Sequence, residues 1–443
     1  MKKIIEPVTR IEGHAKITVY LNDKEVSNAN FDMYLPRGFE KILVGKMVED
    51  VPRITSRICG LCSSAHAIAA CKALEKIYDV TPSRSSVLMR KLLLAGELIR
   101  SHALHFFYFA LPDLKSLIES SYEKYNVQQF SKIETDLVEK LFRIIKIGNE
   151  LLDHIGGRVP HPVTSVVGGI SKKLTEKEVV GLQSNLRRGA TTVRGIIEKL
   201  LEYMGKIGEP QEFFNMDETA FMALNEGGNF NLYEGKLRIT KGKKVLADFE
   251  PEQYSTYIDA DKKSQGIQIK LDGEKLVLTG PMARNQIIER YGAYEVHSLM
   301  EEVPTRWRES LLYSNFLRLI EILASMYDAI LILNEPELIE EQELPSLNKI
   351  ATPVGIGVVE APRGTLIHQY KVNTKNTVES ATIITPTELN LPTINQKLLE
   401  TCRDSYQNTQ NIEKLKENAK RVIRTFDPCV SCATHLIVKI IHQ

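Results

Sequence analysis

Two short segments near opposite ends of the chain carry the residues best suited to chemistry. Arg57-Ile58-Cys59-Gly60-Leu61-Cys62-Ser63-Ser64-Ala65-His66 and Asp427-Pro428-Cys429-Val430-Ser431-Cys432-Ala433-Thr434-His435 share one form. Each has a cysteine, two residues, a second cysteine, then a histidine three or four positions on. Two thiolates at this spacing converge on one soft cation, because a turn or helix puts them on the same side. One such pair is weak evidence; two, each followed by histidine, point to a four-thiolate site assembled from both ends. Cys71 and Cys402 lack partners at ligand spacing and are expected to be buried thiols. His102 and His105 lie one helical turn apart beside Phe106-Phe107-Tyr108-Phe109. That spacing could hold a metal, but packed, hydrogen-bonded core histidines are the commoner outcome, and the aromatic run is expected in the core.

Other chemistries compete for the cysteines. In a chain of 443 residues their pairing argues for metal or redox chemistry rather than a disulfide framework. Structural zinc sites also use four cysteines, but ribbons and fingers place the pairs some tens of residues apart in small subdomains. Here residues 63 to 428 intervene, which suits a site buried between major elements. A thioredoxin-like redox pair would need a strand–motif–helix context that is not present. From the cysteines alone, a redox metal site and a structural zinc site both stay open.

Further segments narrow the choice. Glu6-Pro7-Val8-Thr9-Arg10-Ile11-Glu12-Gly13-His14, the two cysteine segments and Glu360-Ala361-Pro362-Arg363-Gly364 together resemble the large subunit of nickel–iron hydrogenases. So do His102-x-x-His105-Phe106 through Asp113, and Gly156-Gly157-Arg158 through His161-Pro162 to Gly168-Gly169. The matches run from residue 6 to residue 435 in the family's order, so the resemblance spans nearly the whole chain. Any one of these motifs could be accidental, whereas the set is specific. The stretch Thr365-Leu366-Ile367-His368 looks most like the cytoplasmic, cofactor-coupled groups of the family: F420-reducing, heterodisulfide-reductase-linked or NAD(P)-linked.

The resemblance implies roles. Cys59, Cys62, Cys429 and Cys432 would bind nickel. Cys62 and Cys432 would also bridge to an iron carrying cyanide and carbon monoxide, leaving Cys59 and Cys429 terminal. Cys429 would be the base when dihydrogen is split, and Glu12 the acceptor of its proton. His66 would donate toward a bridging sulfur and tune its electron density. Arg363, with Pro362 before it, would cover the open side of the metals and bond a cyanide nitrogen through its fork of donors. Thr387 would contact the other cyanide. Asp113 and Asp427 would partner Arg363 and neighbouring donors. Glu40, in Arg37-Gly38-Phe39-Glu40, and His435 would bind a second metal, magnesium or iron.

Each role has an ordinary rival. A lone arginine most often forms a surface salt bridge, Asp427 before proline is a turn former, Glu12 could simply pair with Arg10, and Glu40 could sit on an amphipathic helix. A quinone-site relative in respiratory complex I is the rival family, and it lacks the four cysteines; a zinc-stabilised scaffold without redox activity is the other rival. Family precursors are cut after the histidine that follows the last cysteine pair, so residues 436–443 are expected to be a removable tail or a buried strand.

The elements that must position these residues follow from periodicity. Residues 4 to 35 alternate as strands, with Ala15 to Leu21 as one and a turn at Asn22-Asp23. Helix-length periodicity runs from Pro82 to Ile155, as in Leu88, Leu92, Ala95 and Ile99, and again from Thr175 to Gly205, with Ser171 or Thr175 as cap. Residues 225 to 278 look like short antiparallel strands, and a helix from Val296 to Leu333 ends at Asn334-Glu335-Pro336. A strand-like stretch from Val354 to Tyr370 and a helix from Thr393 to Arg424 complete the chain. The expected fold is mainly α with antiparallel β insertions, a helical core and N-terminal antiparallel strands, forming a single domain over residues 1–443.

The bulk numbers are those of an ordinary globular protein, 43% hydrophobic and 26% charged. A net charge of +1 gives no bias toward nucleic acid. There is no apolar run of membrane-spanning length and no secretory signal pattern, so a cytoplasmic location is expected. Six cysteines leave none spare for iron–sulfur clusters, which take about four each, so an iron–sulfur small subunit is expected as partner, with further flavin or iron–sulfur electron carriers.

Overall fold

Alternation along the N-terminal stretch produces a three-stranded antiparallel sheet, β1 (Lys2–Val8), β2 (Ala15–Asn22) and β3 (Glu25–Met33). Ala15, Ile17, Val19 and Leu21 of β2 are buried, as a period of two requires. This computed structural model describes residues 2–22, 25–33, 38–114, 127–207, 215–216, 219–263, 266–271, 273–274, 276–341, 343–347 and 349–433. Asp23, Arg37, Thr434, His435 and the segment 436–443 therefore lie outside the described residues.

Four long helices form the body: α1 (Ser63–Tyr78), α2 (Arg84–Leu104), α3 (Val127–Gly156) and α4 (Glu176–Ile207). Thr175 caps α4, its hydroxyl accepting from Glu178 N at 3.2 Å while Glu178 bonds back to Thr175 N at 2.8 Å. Glycines let α2 and α3 cross closely: a Cβ on Gly148 would meet Arg100 N at 2.8 Å. α2 continues into a π-helical turn, His105–Ala110, an irregularity that often marks a functional site. Of the aromatic run inside that turn only Phe106 is fully buried; Tyr108 is exposed and packs edge-on against Phe107 and Phe142.

The expected strands after residue 220 are present, with one difference. Val277–Leu278 pairs parallel, not antiparallel, with Ala220 and Phe221. Val296 to Leu333 is also not one helix. It divides into Tyr294–Glu301, Thr305–Arg308 and α6 (Tyr313–Ile332), because Pro304 has no N–H to continue the ladder. The short helix α5 (Pro281–Ile287) precedes them. α6 packs on α2 and α4 and is buried through most of its length.

The strand-like stretch near residue 360 is a hairpin of β4 (Val354–Ala361) and β5 (Gly364–Val372), with Pro362-Arg363 at its tip. A third strand, β6 (Val378–Ile384), completes that sheet and was not anticipated. The final helix is two, α7 (Pro386–Thr409) and α8 (Ile412–Phe426). The break follows Gln410, in a left-handed conformation at φ 51°, and Asn411, whose side chain accepts from Glu413 N and Lys414 N. The start of α7 is masked in sequence by Pro386 and Pro392, although Thr385 and Glu388 form a reciprocal cap. One apolar core runs from Ile4 to Cys432, and a smaller one underlies the sheet around Met222 and Ile239.

β4 lies directly on α1, the helix that begins after Cys62. Gly355 and Gly357 make this approach possible, since a Cβ at either would lie about 2 Å from the carbonyl oxygen of Ala73 or Ala69. Gly357→Ala should therefore destabilise the protein by about 1–3 kcal/mol, read as a lowered denaturation midpoint of the metal-free chain.

Candidate metal centre

Cys59 sits in extended backbone after a 3₁₀ turn, and Cys62 is the N-cap of α1. Cys429 and Cys432 follow α8, which ends at Asp427 in a left-handed conformation, φ 54° and ψ 55°, ahead of Pro428. The four sulfurs meet. Cys59 Sγ lies 3.3 Å from Cys429 Sγ, Cys62 Sγ 3.2 Å from Cys432 Sγ, and Cys429 Sγ 2.8 Å from Cys432 Sγ. All four ligand atoms fall within 4.8 Å of one another and are buried. These separations exceed a disulfide bond of about 2.05 Å and bracket the edges of a metal–thiolate polyhedron with bonds of about 2.3 Å. Burial pushes the Cys429 thiol well up, while the hydrogen bond from Cys429 holds Cys59 well below the ordinary thiol range. A cation bound here deprotonates all four.

Arg363 reaches the site from the tip of the β4–β5 hairpin. Its Nε donates to Asp427 O at 2.8 Å and its Nη2 to Asp427 Oδ1 at 3.0 Å. Burial opposes its charge, but Asp427 and the thiols of Cys429, Cys59 and Cys62 outweigh burial and raise its pKa. Arg363 Nη1 and Asp427 Oδ2 are buried without partners. An unsatisfied cationic donor beside four soft sulfurs fits a metal whose own ligands accept hydrogen bonds better than it fits a closed structural zinc site. Asp427 thus holds both readings at once, helix-ending turn former and partner of Arg363.

Glu12 does not pair with Arg10. Its Oε2 lies 3.1 Å from Cys429 Sγ and accepts from Ser431 N at 2.9 Å, while Ser431 Oγ donates to Oε1. The backbone is joined too, with Val430 N donating to Glu12 O at 3.1 Å. Gly13 permits this, since at φ 83° a Cβ would meet Val430 Cβ at 2.7 Å. Thr387 Oγ1 accepts from Cys429 N at 2.9 Å.

Asp113 is close by but is bonded differently from expectation. Its carboxylate pairs with Arg10 and Arg424, and Asp427 alone of the two acids pairs with Arg363. The reason is chain direction: the π-helical turn carries Asp113 toward Thr9 and Arg10, and Arg424 also donates to Thr9 O at 2.9 Å. Glu40 accepts from Ile383 N at 2.7 Å. Its expected co-ligand His435 lies outside the described residues. His102 and His105 are core histidines, bonded to Glu321 and to Arg424 O, and burial pushes His102 down to about 4. Burial likewise pushes Cys71 and Cys402 up to about 12, as inert thiols.

Several residues near the site were not anticipated. His66 Nδ1 lies 3.0 Å from His368 Nε2, whose other ring nitrogen is 2.6 Å from Tyr370 Oη. The signal was present, since residues 368 and 370 share one face of β5. Glu97 is fully buried and caps α1, accepting from Ser64 N at 2.6 Å and Ala65 N at 3.0 Å, and burial pushes its pKa up to about 8. Glu321, inside the otherwise apolar α6, was the other legible signal.

A family profile described as nickel-dependent hydrogenase matches residues 37–143 and 280–435, and a HoxL-like profile matches residues 3–33. The vhc subunit of an F420-non-reducing hydrogenase from Methanococcus voltae is 30% identical over 460 residues, covering 98% of this chain and 95% of that one. The chain belongs to the nickel-dependent hydrogenases. A second relative, the beta subunit of the NAD-reducing hydrogenase HoxS from Cupriavidus necator, is 28% identical over 98% of this chain and 95% of its own. The solved structure of an NAD+-reducing [NiFe]-hydrogenase in the H2-reduced state superposes with a TM-score of 0.88 at 26% identity, covering 98% of this chain and 100% of that chain. This hydrogenase subunit is of the large, metal-holding type, an oxidoreductase acting on dihydrogen, and its four clustered cysteines form the nickel–iron site.

Removing one member of a fully buried ion pair strands the other charge. Asp427→Ala should lower the stability of the metal-free hydrogenase subunit by about 3–5 kcal/mol, measured by chemical denaturation. A change under about 1 kcal/mol would mean that the thiols alone hold Arg363.

Proposed function

We propose that Cys59, Cys62, Cys429 and Cys432 hold the nickel, that Cys62 and Cys432 are shared with an iron carrying cyanide and carbon monoxide, and that protons leave through Cys429 and Glu12. The observation that carries this reading is the 3.1 Å contact from Cys429 Sγ to Glu12 Oε2. When bound, the metal pair supplies heterolytic cleavage of dihydrogen and takes up its electrons. Cys429 Sγ then serves as the base, and Glu12 is the next proton acceptor within hydrogen-bond reach. Ser431 keeps the carboxylate aimed at that sulfur through its N–H and its hydroxyl. Arg10, Asp113 and Arg424 fix the Thr9-to-Glu12 stretch from the other side.

Arg363 Nη1 is the donor offered to one cyanide, with Pro362 setting the turn and Asp427 holding the guanidinium in plane. Thr387, whose oxygen already accepts from Cys429 N, offers its O–H to the other. His66, tied to His368 through Nδ1, tunes a bridging thiolate. Glu40 with His435 is the proposed site for magnesium or iron. With four of six cysteines committed, electrons pass to an iron–sulfur small subunit, then on to flavin or iron–sulfur partners. The relatives named as subunits of larger hydrogenases support that reading. No described helix is long and apolar enough to cross a membrane, and the cytoplasm is the proposed location.

Protein matured in its own host with its partners should carry about one nickel and at least one iron, and infrared bands of bound cyanide and carbon monoxide. Zinc alone, without such bands, overturns the reading.

Glu12→Gln keeps the shape of the side chain but cannot take up and release a proton at neutral pH. The variant should retain its nickel yet lose turnover and deuterium–water exchange by roughly 100- to 10,000-fold. Near-normal exchange in a fully metallated sample would move the proton path elsewhere and leave the four-cysteine site untouched.

A further inference from the structure

Arg284, on α5, is fully buried and uses every N–H that it has. Its Nε and Nη2 bond the two carboxylate oxygens of Glu321 at 2.7 Å each. Nη1 donates to Glu360 Oε2 at 2.8 Å and to Ala361 O at 3.2 Å, and Nη2 also donates to Pro362 O at 3.0 Å. The two acids are themselves anchored. Glu321 Oε2 lies 2.8 Å from His102 Nε2, and Glu360 Oε1 accepts from Thr365 Oγ1 at 2.7 Å and Leu224 N at 3.1 Å. The guanidinium therefore ties α6, the end of β4 and the two carbonyls immediately before Arg363 into one rigid unit. Beneath the same turn, Gly280 comes so close that a Cβ on it would meet Arg363 O at 2.8 Å.

Stability does not account for such a cluster, because a buried arginine between two carboxylates is often no more stabilising than apolar residues of the same volume. Its geometric content is larger. A planar fork with five donors determines where the Ala361–Pro362 backbone lies, and a lysine with three donors on a flexible stem cannot. That backbone in turn determines where the unpartnered Nη1 of Arg363 stands over the sulfurs.

We infer that Arg284 is a positioning residue for Arg363: with Glu321 and Glu360 it sets the height of the Pro362-Arg363 turn over the four thiolates. This rests on the reading that Arg363 donates to a cyanide of the iron. Arg284 touches no thiolate in the network described and acts only through the turn.

The test uses the complete, host-matured enzyme with its partners. Arg284→Lys should lower kcat roughly 10- to 100-fold, since displacing a group around a metal or a reacting centre by about 1 Å has effects of that size. Its infrared spectrum should show one cyanide band displaced and the other unmoved. The double variant Arg284→Lys/Arg363→Lys should turn over no more slowly than Arg363→Lys alone, because both changes remove the same contact. Unmoved cyanide bands in Arg284→Lys, or losses that multiply in the double variant, overturn the inference. If Arg284→Lys emerges without nickel, Gly280→Ala decides, since it pushes the same turn from below without stranding a buried charge. It should displace the same cyanide band, and an unmoved band there overturns the inference as well. Absence of cyanide bands from the unaltered enzyme would instead overturn the nickel–iron reading itself and remove this inference with it.

Discussion

Everything in this hydrogenase subunit depends on bringing four buried sulfurs within 4.8 Å of one another from positions 59, 62, 429 and 432. Like-charged thiolates do not seek each other, and a bound cation can reward the gathering only after the chain has made it. The closure is therefore carried by ordinary folding forces. β4 lies on α1, α1 begins at Cys62, and α8 ends one turn before Cys429. The backbone of Glu12 joins that of Val430. Closing a loop of this length adds only a few tenths of a kcal/mol beyond what a loop half as long needs, so distance along the chain is no obstacle once the core exists.

Around the sulfurs the protein places buried charges in matched groups. Arg363 sits with Asp427, Arg284 with Glu321 and Glu360, and Arg10 and Arg424 with Asp113. Each group is anchored to backbone carbonyls as well as to its counter-ion, so each fixes a strand end or a loop. Deep burial makes such pairs poor sources of net stability and good sources of register, because any shift leaves a charge without its partner. The open valences are concentrated at one place, Arg363 Nη1 and Asp427 Oδ2 beside the thiols. The described polar network thus leaves donors and acceptors unused where the metals' own ligands would need them.

The sequence by itself determined the chemistry of the centre. Two Cys-x-x-Cys-His segments name four soft ligands, and the family's motifs around Glu12, Arg363 and Thr387 mark the residues found beside them. It also determined the long helices and the N-terminal strands, since period-3.6 and period-2 burial are local properties. Local breaks were harder to see. Pro304 and Gln410 divide helices whose apolar periodicity continues across them, and Pro386 and Pro392 hide a helix that its cap and packing sustain.

Only the tertiary structure decided the pairings. Asp113 and Asp427 look alike in sequence as acids near the site, yet one serves Arg10 and Arg424 and the other Arg363. Glu12 faces Cys429 and Ser431 rather than the arginine two residues before it. Arg284, Glu321, Glu97 and His368 carry no local pattern announcing that they surround one centre. A charged side chain's partner is chosen by which groups share its buried space, and that space exists only after elements distant in the chain have packed.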